Sequence, residues 1–217
     1  MFRADGSVER TGYSPPMSAA PELVLFDLGG VLIELTGVST MAAMARIDDE
    51  QELWHRWLSC PWVRTFESGN CSPDEFAGGV IDDWGLAVGR QEFLELFTSW
   101  PVGPLAGAED LVEATASRVS VGCLTNTNEL HWDDNVEHWS LIRRFDHRFA
   151  SHRMGQVKPD PEMFAQVAEG LPVPKGRVLL LDDNRANVDG ARAAGFRAEQ
   201  VDGVAAARRV LTTAGVL

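Results

Sequence analysis

The sequence has few basic residues, few cysteines and no long apolar run. Its 217 residues include 19 Lys and Arg against 32 Asp and Glu, a formal net charge of −13 at pH 7. Such a charge repels phosphate backbones and anionic lipids, so nucleic acid and membrane surfaces are poor partner candidates. No apolar stretch approaches the roughly 20 residues of a membrane helix, and no signal peptide pattern is present. We therefore expect a protein that is not exported.

The cysteines give little reason to expect a disulfide or a zinc knuckle. Cys60, Cys71 and Cys123 are odd in number and form no CxxC pair. Cys123 falls inside an apolar run, which predicts a core position. The reducing cytoplasm is the compartment that fits this usage of cysteine.

From residue 21 onward, short apolar runs alternate with helix-like segments. Residues 1–20, by contrast, mix charges with Gly, Ser and Pro, which predicts a flexible N-terminal extension. Strands are predicted at 23–26, 119–124 and 178–181, and more weakly at 145–151 and at 196–201, the last at a sheet edge. Helices are predicted at 109–116, 161–169, 187–194 and 204–214. The alternation predicts an α/β fold, a doubly wound parallel sheet with helices on both faces.

A helical segment interrupts this alternation between residues 36 and 103. Four helices are predicted there, at 39–47, 51–58, 73–84 and 90–100. The third begins with a capping box, in which Ser72 precedes Pro73 and Glu75 follows at the third helical position. We expect a core domain of residues 21–35 and 104–217 and a helical domain of residues 36–103. Because the insert leaves the sheet just after the first strand, it is expected to cover the strand ends.

Polar side chains follow the predicted strands where each strand ends. Carboxyl ends of parallel strands line the binding crevice of such sheets. Each residue alone is compatible with a turn or a helix cap, but together they offer carboxylates for Mg²⁺ and donors for a phosphate group. The residues are Asp27, Thr125, Asn126, Asp182, Asp183 and, in a later loop, Lys158. The set indicates phosphoryl transfer.

Four short motifs carry a resemblance to a known family. They are Phe26-Asp27-Leu28-Gly29-Gly30-Val31-Leu32, Leu124-Thr125-Asn126, Lys158-Pro159 and Asp182-Asp183-Asn184-Arg185-Ala186-Asn187. In order and spacing they resemble the haloacid dehalogenase-like hydrolases, and the insert resembles their C1-type cap. The resemblance implies a Rossmann-like core with a cap inserted after the first strand. Residues 124–131 are most similar to the bacterial α-D-glucose-1-phosphate phosphatase group.

The resemblance implies a role for each motif residue. Asp27 is expected to attack phosphorus and form an aspartyl-phosphate; a carboxylate of ordinary pKa is ionised at neutral pH and needs no activating base. Lys158 is expected to neutralise the developing charge and, with Thr125 and Asn126, to hold the phosphate. The ligands expected for Mg²⁺ are Asp27, the Gly29 carbonyl, Asp183 and Asp182, with Asn187 close by.

Gly29 departs from the family pattern, which has a second Asp at this position as general acid and base. Glycine keeps the carbonyl expected to bind the metal but has no carboxyl group to move a proton. General acid catalysis contributes about 10²- to 10⁴-fold, so phosphates of ordinary alcohols should react slowly unless water or another side chain replaces it. The α-D-glucose-1-phosphate phosphatase group also has Gly here.

The best hypothesis is a Mg²⁺-dependent phosphatase of a small phosphorylated metabolite, with a sugar phosphate as first choice. The alternative is a catalytically weak or silent relative that binds a phosphorylated ligand or a protein partner. A dehalogenase is disfavoured because those enzymes use no metal. A zinc site at His131, Asp133, Asp134 and His138 is disfavoured by spacing. Packing within the cap is favoured over a ligand platform for Trp54, Trp57, Trp84 and Trp100.

Overall fold

A computed structural model of the chain describes residues 20–133 and 135–217. The predicted N-terminal extension therefore lies outside the described residues, apart from Ala20. Within the part of the chain that is described, no helix is long and apolar enough to cross a membrane.

The core of the fold is a five-stranded parallel sheet with the order β5-β4-β1-β6-β7. Its strands are β1 (Leu23–Phe26), β4 (Ser120–Thr125), β5 (His147–Ala150), β6 (Val178–Asp182) and β7 (Arg197–Gln200). The first strand lies in the centre, with β4 and β6 hydrogen-bonded on either side. This confirms the predicted doubly wound sheet, and β7 is an edge strand as expected.

Helices cover both faces of the sheet because residues of each central strand alternate between two hydrophobic clusters. Val24, Phe26 and Cys123 belong to one cluster, and Leu23 and Leu25 to the other. The first cluster includes residues of α6 (Ala108–Ala116), α7 (Glu129–Trp132), α8 (Ser140–Arg143) and α12 (Gly203–Thr213); the second includes residues of α10 (Pro161–Gly170) and α11 (Arg185–Ala193). A short helix, α9 (Ser151–Met154), follows β5. Both faces of β1 are therefore buried.

A helical cap is inserted after the first strand, and it contains five helices rather than the four expected. They are α1 (Gly37–Ala45), α2 (Glu50–Ser59), α3 (Pro61–Glu67), α4 (Pro73–Trp84) and α5 (Arg90–Thr98). The helix that was not predicted is α3, which begins with Pro61 at its first position. The capping box of α4 is present, with Ser72 and Glu75 bonded reciprocally.

Aromatic side chains form the centre of the cap. Trp57 lies 4.9 Å from Trp100 and 5.8 Å from Phe97 between ring centroids, and Phe66 stacks on Phe76 at 4.4 Å. These rings are almost fully buried, so the preference for packing over an exposed platform is confirmed for Trp57 and Trp100. The cap therefore has a hydrophobic cluster of its own.

A two-stranded antiparallel sheet joins the cap to the core. Its strands, β2 (Ile33–Leu35) and β3 (Pro101–Pro104), flank the five cap helices in the chain. Thr36 also donates its backbone N–H to the carbonyl of Trp100 at 3.0 Å. The two connections between the domains thus run side by side, close to the carboxyl end of β1.

Candidate active site

The predicted site residues come together at the carboxyl ends of three adjacent strands. Asp27 directly follows β1, Thr125 is the last residue of β4, and Asp182 is the last residue of β6. Lys158 reaches the same place from the loop between α9 and α10. The Asp27, Asp182 and Asp183 carboxylates each offer an oxygen within 4.8 Å of the other two. Residues far apart in the sequence therefore form one cluster.

Lys158 lies at the centre of this cluster. Its Nζ is 2.6 Å from Asp182 Oδ2 and 3.0 Å from Asp27 Oδ1, and it donates to the carbonyl of Leu124 at 2.9 Å. The residue is only 3% exposed. Burial alone disfavours the charged amine, but the two carboxylates outweigh it and raise the pKa of Lys158 above its usual value. Lys158 is thus a permanently charged group in the floor of the site.

Asp182 is held from behind by the start of the helix that follows it. Its carboxylate accepts hydrogen bonds from the Asn187 side chain at 3.0 and 3.2 Å and from the Asn184 backbone at 2.9 Å. Asn184 is also the N-cap of α11, accepting from the N–H of Ala186. With Lys158 added, both oxygens of Asp182 already have donors. Its role as a metal ligand stays a prediction, and its evident role is to orient Lys158.

Asp27 and Asp183 face the open side of the cluster. Burial raises the pKa of Asp27 to about 7; Lys158 opposes this, while Asp182 and Asp183 add to it. Burial also raises the pKa of Asp183 to about 6, with Asp182 contributing. The expectation that Asp27 has an ordinary pKa is therefore wrong for the protein alone.

Burial is the main cause of the raised pKa values of Asp27 and Asp183, and an unbalanced charge adds to it. Three carboxylates share the single ammonium group of Lys158, which leaves an excess of about two negative charges. A bound divalent cation would balance it and restore the ionised form of Asp27. The donor set, carboxylate oxygens with a nearby backbone carbonyl, is of the kind that Mg²⁺ prefers. The residues present therefore fit the ion.

Asn126 acts on the lysine loop through both ends of its side chain. Its Nδ2 donates to the carbonyl of Lys158 at 2.9 Å, and its Oδ1 accepts from the N–H of Lys158 at 2.8 Å. The side chain thus positions Lys158. The candidate phosphate donors at this strand end are therefore the Asn126 backbone N–H and the Thr125 hydroxyl, which lies 3.4 Å from the Asn126 carbonyl oxygen. Their contact with phosphate stays a prediction.

The loop after Asp27 needs glycine at one of its two glycine positions. Gly30 has φ +68°, and a Cβ there would lie 2.5 Å from Asp183 Oδ2. Its carbonyl accepts the N–H of Gly203 at 2.9 Å, so the loop is tied to the start of α12. At Gly29, a Cβ would meet only the end of the Leu35 side chain, at 2.9 Å. The missing carboxyl at Gly29 is therefore not explained by backbone geometry.

A cavity of about 1030 Å³ lies between this cluster and the cap. Its floor includes Asp27, Lys158 and Asp183, and part of its cap wall is apolar, with Trp57 and Phe97. The volume is at the upper end of the range usual for small-molecule sites. The site can therefore enclose a phosphate on the polar floor and an organic group under the cap.

Comparison with known proteins identifies the family. The family model of the haloacid dehalogenase-like hydrolases matches residues 21–195. The chain belongs to the haloacid dehalogenase-like hydrolases. None of the relatives described below singles out the α-D-glucose-1-phosphate phosphatase group within this hydrolase family, so that assignment stays a prediction.

Relatives of this hydrolase include named phosphatases. Phosphatase MT3486 of Mycobacterium tuberculosis is 27% identical over 187 residues, covering 82% of this chain and 86% of that protein. The D-ribitol-5-phosphate phosphatase of Bacteroides thetaiotaomicron is 24% identical over 201 residues, covering 87% and 96%. A crystal structure of a HAD family enzyme from B. thetaiotaomicron, complexed with magnesium and inorganic phosphate, aligns with a TM-score of 0.66, 23% identity, and 83% and 94% coverage.

Two charged residues of the cap also belong to the surroundings of this hydrolase site, and the sequence analysis assigned neither a role. Arg64 and Glu67 lie on α3 and line the cavity. Arg64 forms an ion pair with Asp160, two residues after Lys158. The signal that could have located them is the Cys60-Pro61 helix start, which would have placed both on one helix face.

The disfavoured zinc alternative is not supported by the hydrolase structure. His131 Nε2 lies 2.7 Å from the carbonyl of Phe97, and Nδ1 lies 3.3 Å from Asn128 Nδ2. Asp133 pairs with Arg153 at 2.5 Å, and Asp134 lies outside the described residues. His131 is therefore a link between the core and the cap helix α5.

Proposed function

We propose that this hydrolase is a Mg²⁺-dependent phosphatase that acts on a small phosphorylated metabolite. The observation that carries the proposal is Lys158, buried between Asp27 and Asp182 with Asp183 beside them. One carboxylate is accessible for attack, one ammonium can stabilise phosphoryl oxygens, and a further carboxylate can take part in binding a cation. These are the parts that phosphoryl transfer requires.

Asp27 is the nucleophile in this proposal. Its Oδ1 is held by Lys158, so the other oxygen is available to attack phosphorus in line, forming an aspartyl-phosphate and breaking the ester bond. Lys158 keeps the attacking carboxylate oriented and offsets the negative charge of the phosphoryl oxygens as it develops. Water then attacks the aspartyl-phosphate, which releases inorganic phosphate and restores Asp27.

Asp27, Asp183 and the carbonyl of Gly29 would hold Mg²⁺, with Asp182 as a further candidate ligand. The ion would supply positive charge to the phosphate group and lower the charge repulsion between it and Asp27. The net negative charge of the whole chain is a further reason to expect a cation here. A protein with a net charge of −13 repels a phosphate ester unless positive charge is concentrated at the site.

A sugar phosphate is the proposed substrate class. The cavity can enclose an organic group next to the polar floor, and its cap wall includes the apolar residues Trp57 and Phe97. The relatives named as phosphatases include one for D-ribitol 5-phosphate, which supports a phosphorylated polyol or sugar. The alternative, a silent relative that binds its ligand without turnover, is favoured only by Gly29.

The test is hydrolysis of p-nitrophenyl phosphate, because its leaving group needs no proton. We expect turnover that requires Mg²⁺, disappears with EDTA, and is abolished by Asp27→Asn. Asp110→Asn, an exposed carboxylate on α6, is the matched control and should retain full activity. Phosphate binding without turnover above that of Asp27→Asn would support the silent relative instead. A panel of sugar phosphates then identifies the substrate.

A further inference from the structure

Gly29 leaves the proposed phosphatase without a proton donor at the usual position. An alkoxide leaving group needs a proton as the ester bond breaks, and water needs to lose one in the second step. Besides Asp27 and Asp183, the carboxyl and imidazole groups that line the cavity within the described ranges belong to Glu34, Glu67, His131 and Asp202. If a side chain supplies the proton for alkyl phosphates, it is expected to be one of these.

Three of the four candidates are poorly suited. Glu34 and Asp202 are exposed to solvent. His131 has both ring nitrogens engaged, with the carbonyl of Phe97 and with Asn128. Burial also lowers the pKa of His131 to about 4, so it is neutral and unable to act as a strong proton donor at neutral pH. Glu67 is the candidate that remains.

The segment that carries Glu67 contacts the core domain at two residues, one before and one after Glu67 in the sequence. On one side, Arg64 pairs with Asp160, next to the lysine loop. On the other, Gly69 has φ +68°, and a Cβ there would clash with the backbone carbonyl of His152 in α9. Glu67 ends the helix between these two contacts. The cap is thus fastened to the core at the position that carries this carboxyl group.

The surroundings of Glu67 favour its protonated form. No hydrogen bond to its carboxylate is found among residues 20–133 and 135–217. Burial raises the pKa of Glu67 to about 8; Lys158 and Arg64 oppose this and Asp27 adds to it. Glu67 lines the same cavity as Asp27 and Lys158. A neutral carboxylic acid facing the nucleophile across a cavity matches what a general acid requires.

We propose that Glu67, supplied by the cap, is the general acid and base of this phosphatase in place of the carboxyl group missing at Gly29. The proposal rests on the phosphatase function proposed above. As Asp27 bonds to phosphorus and the ester bond breaks, the Glu67 proton goes to the alkoxide oxygen, which yields the alcohol and a Glu67 carboxylate. That carboxylate then takes a proton from the attacking water as the Asp27–phosphorus bond breaks, and both residues return to their starting states.

The experiment compares two substrates of similar size whose leaving groups differ. p-Nitrophenyl phosphate releases a stable phenolate, whereas 2-phenylethyl phosphate releases an alkoxide that needs a proton. The quantity measured is kcat/KM, from phosphate release with saturating Mg²⁺, because it reports only the steps up to departure of the leaving group. The proteins are the wild type, Glu67→Gln, Glu67→Ala and the control Glu92→Gln, which alters an exposed carboxylate on cap helix α5.

We expect Glu67→Gln to reduce kcat/KM for 2-phenylethyl phosphate by about 10²- to 10⁴-fold. Its kcat/KM for p-nitrophenyl phosphate should stay within a factor of about three of the wild-type value. The control Glu92→Gln should stay within that factor for both substrates. Retained turnover of p-nitrophenyl phosphate shows that the variant is folded. If Glu67→Gln does not fold, Glu67→Ala takes its place in the comparison. An equal loss on both substrates, or no loss on either, overturns the role of Glu67. Absence of p-nitrophenyl phosphate turnover in the wild type instead overturns the phosphatase function.

Discussion

Replacing Lys158 with Met should destabilise the protein more than any exposed substitution, because it leaves two carboxylates facing each other without a counter-ion. The Lys158 and Asp182 side chains are 1% and 0% exposed. Removing one partner of a buried ion pair costs about 3 to 5 kcal/mol. A domain of this size has a free energy of unfolding of about 5 to 15 kcal/mol, so the loss is a large fraction of the total. Met fills a similar volume, which keeps the cavity term small.

The assay is urea unfolding at pH 7 in the presence of EDTA, so that no divalent cation replaces the lost charge. We expect the free energy of unfolding to fall by about 4 kcal/mol. In thermal unfolding, a loss of this size corresponds to a fall in Tm of roughly 12 °C for a chain of about 200 residues. Lys175→Met is the matched control, since Lys175 is the only other lysine in the chain and is exposed. The control should change the free energy of unfolding by less than about 0.5 kcal/mol.

Two further measurements test the effect of Lys158 on stability. Adding Asp182→Asn to Lys158→Met should cost much less than the sum of the single changes, because the double variant no longer buries an uncompensated pair of charges. Lys158→Arg should not restore stability, since a planar guanidinium cannot reach the same three acceptors. If Lys158→Met lowers the free energy of unfolding by less than about 1 kcal/mol, Lys158 does not compensate the buried carboxylates as inferred above.

Two more predictions concern the contacts between cap and core. Gly69→Ala should lower Tm by several degrees and reduce turnover of 2-phenylethyl phosphate, because its Cβ would push α3 away from the His152 carbonyl. The control is Gly85→Ala, at φ +64° in open space. It should lower the free energy of unfolding by about 1 kcal/mol and leave turnover unchanged. The pKa of His131, lowered to about 4 by burial, predicts a pH effect. The unfolded ring gains its proton near pH 6.5, so stability should fall between about pH 6.5 and 4, by about 2 kcal/mol after allowance for partial exposure. In His131→Asn, the difference in free energy of unfolding between pH 7 and pH 4 should be smaller than in the wild type by about 2 kcal/mol. An unchanged difference would contradict this assignment to His131.

The sequence by itself determined the fold class and the members of the ion cluster. Apolar runs such as Leu23–Phe26 predicted buried parallel strands because both faces of such a strand are covered. Since the carboxyl ends of parallel strands share one edge, Asp27, Thr125 and Asp182 were expected to meet there. Lys158 was placed in the same set from its position in a later loop, and the motif order of the family that the chain resembles supported this. These inferences need only local pattern and the rule that relates strand ends to binding crevices.

Only the tertiary structure decided how the charges at the site are shared and what the cap adds to it. Asp182 and Asn126 proved to hold Lys158 through specific hydrogen bonds, and burial raised the pKa of Asp27 away from its ordinary value. The residues around Glu67 resembled cap sequence but gave it no role, because its place in the cavity beside Asp27 depends on the packing of α3 against the core. Desolvation and distances between residues far apart in the chain are set by packing, and local sequence carries almost no record of either.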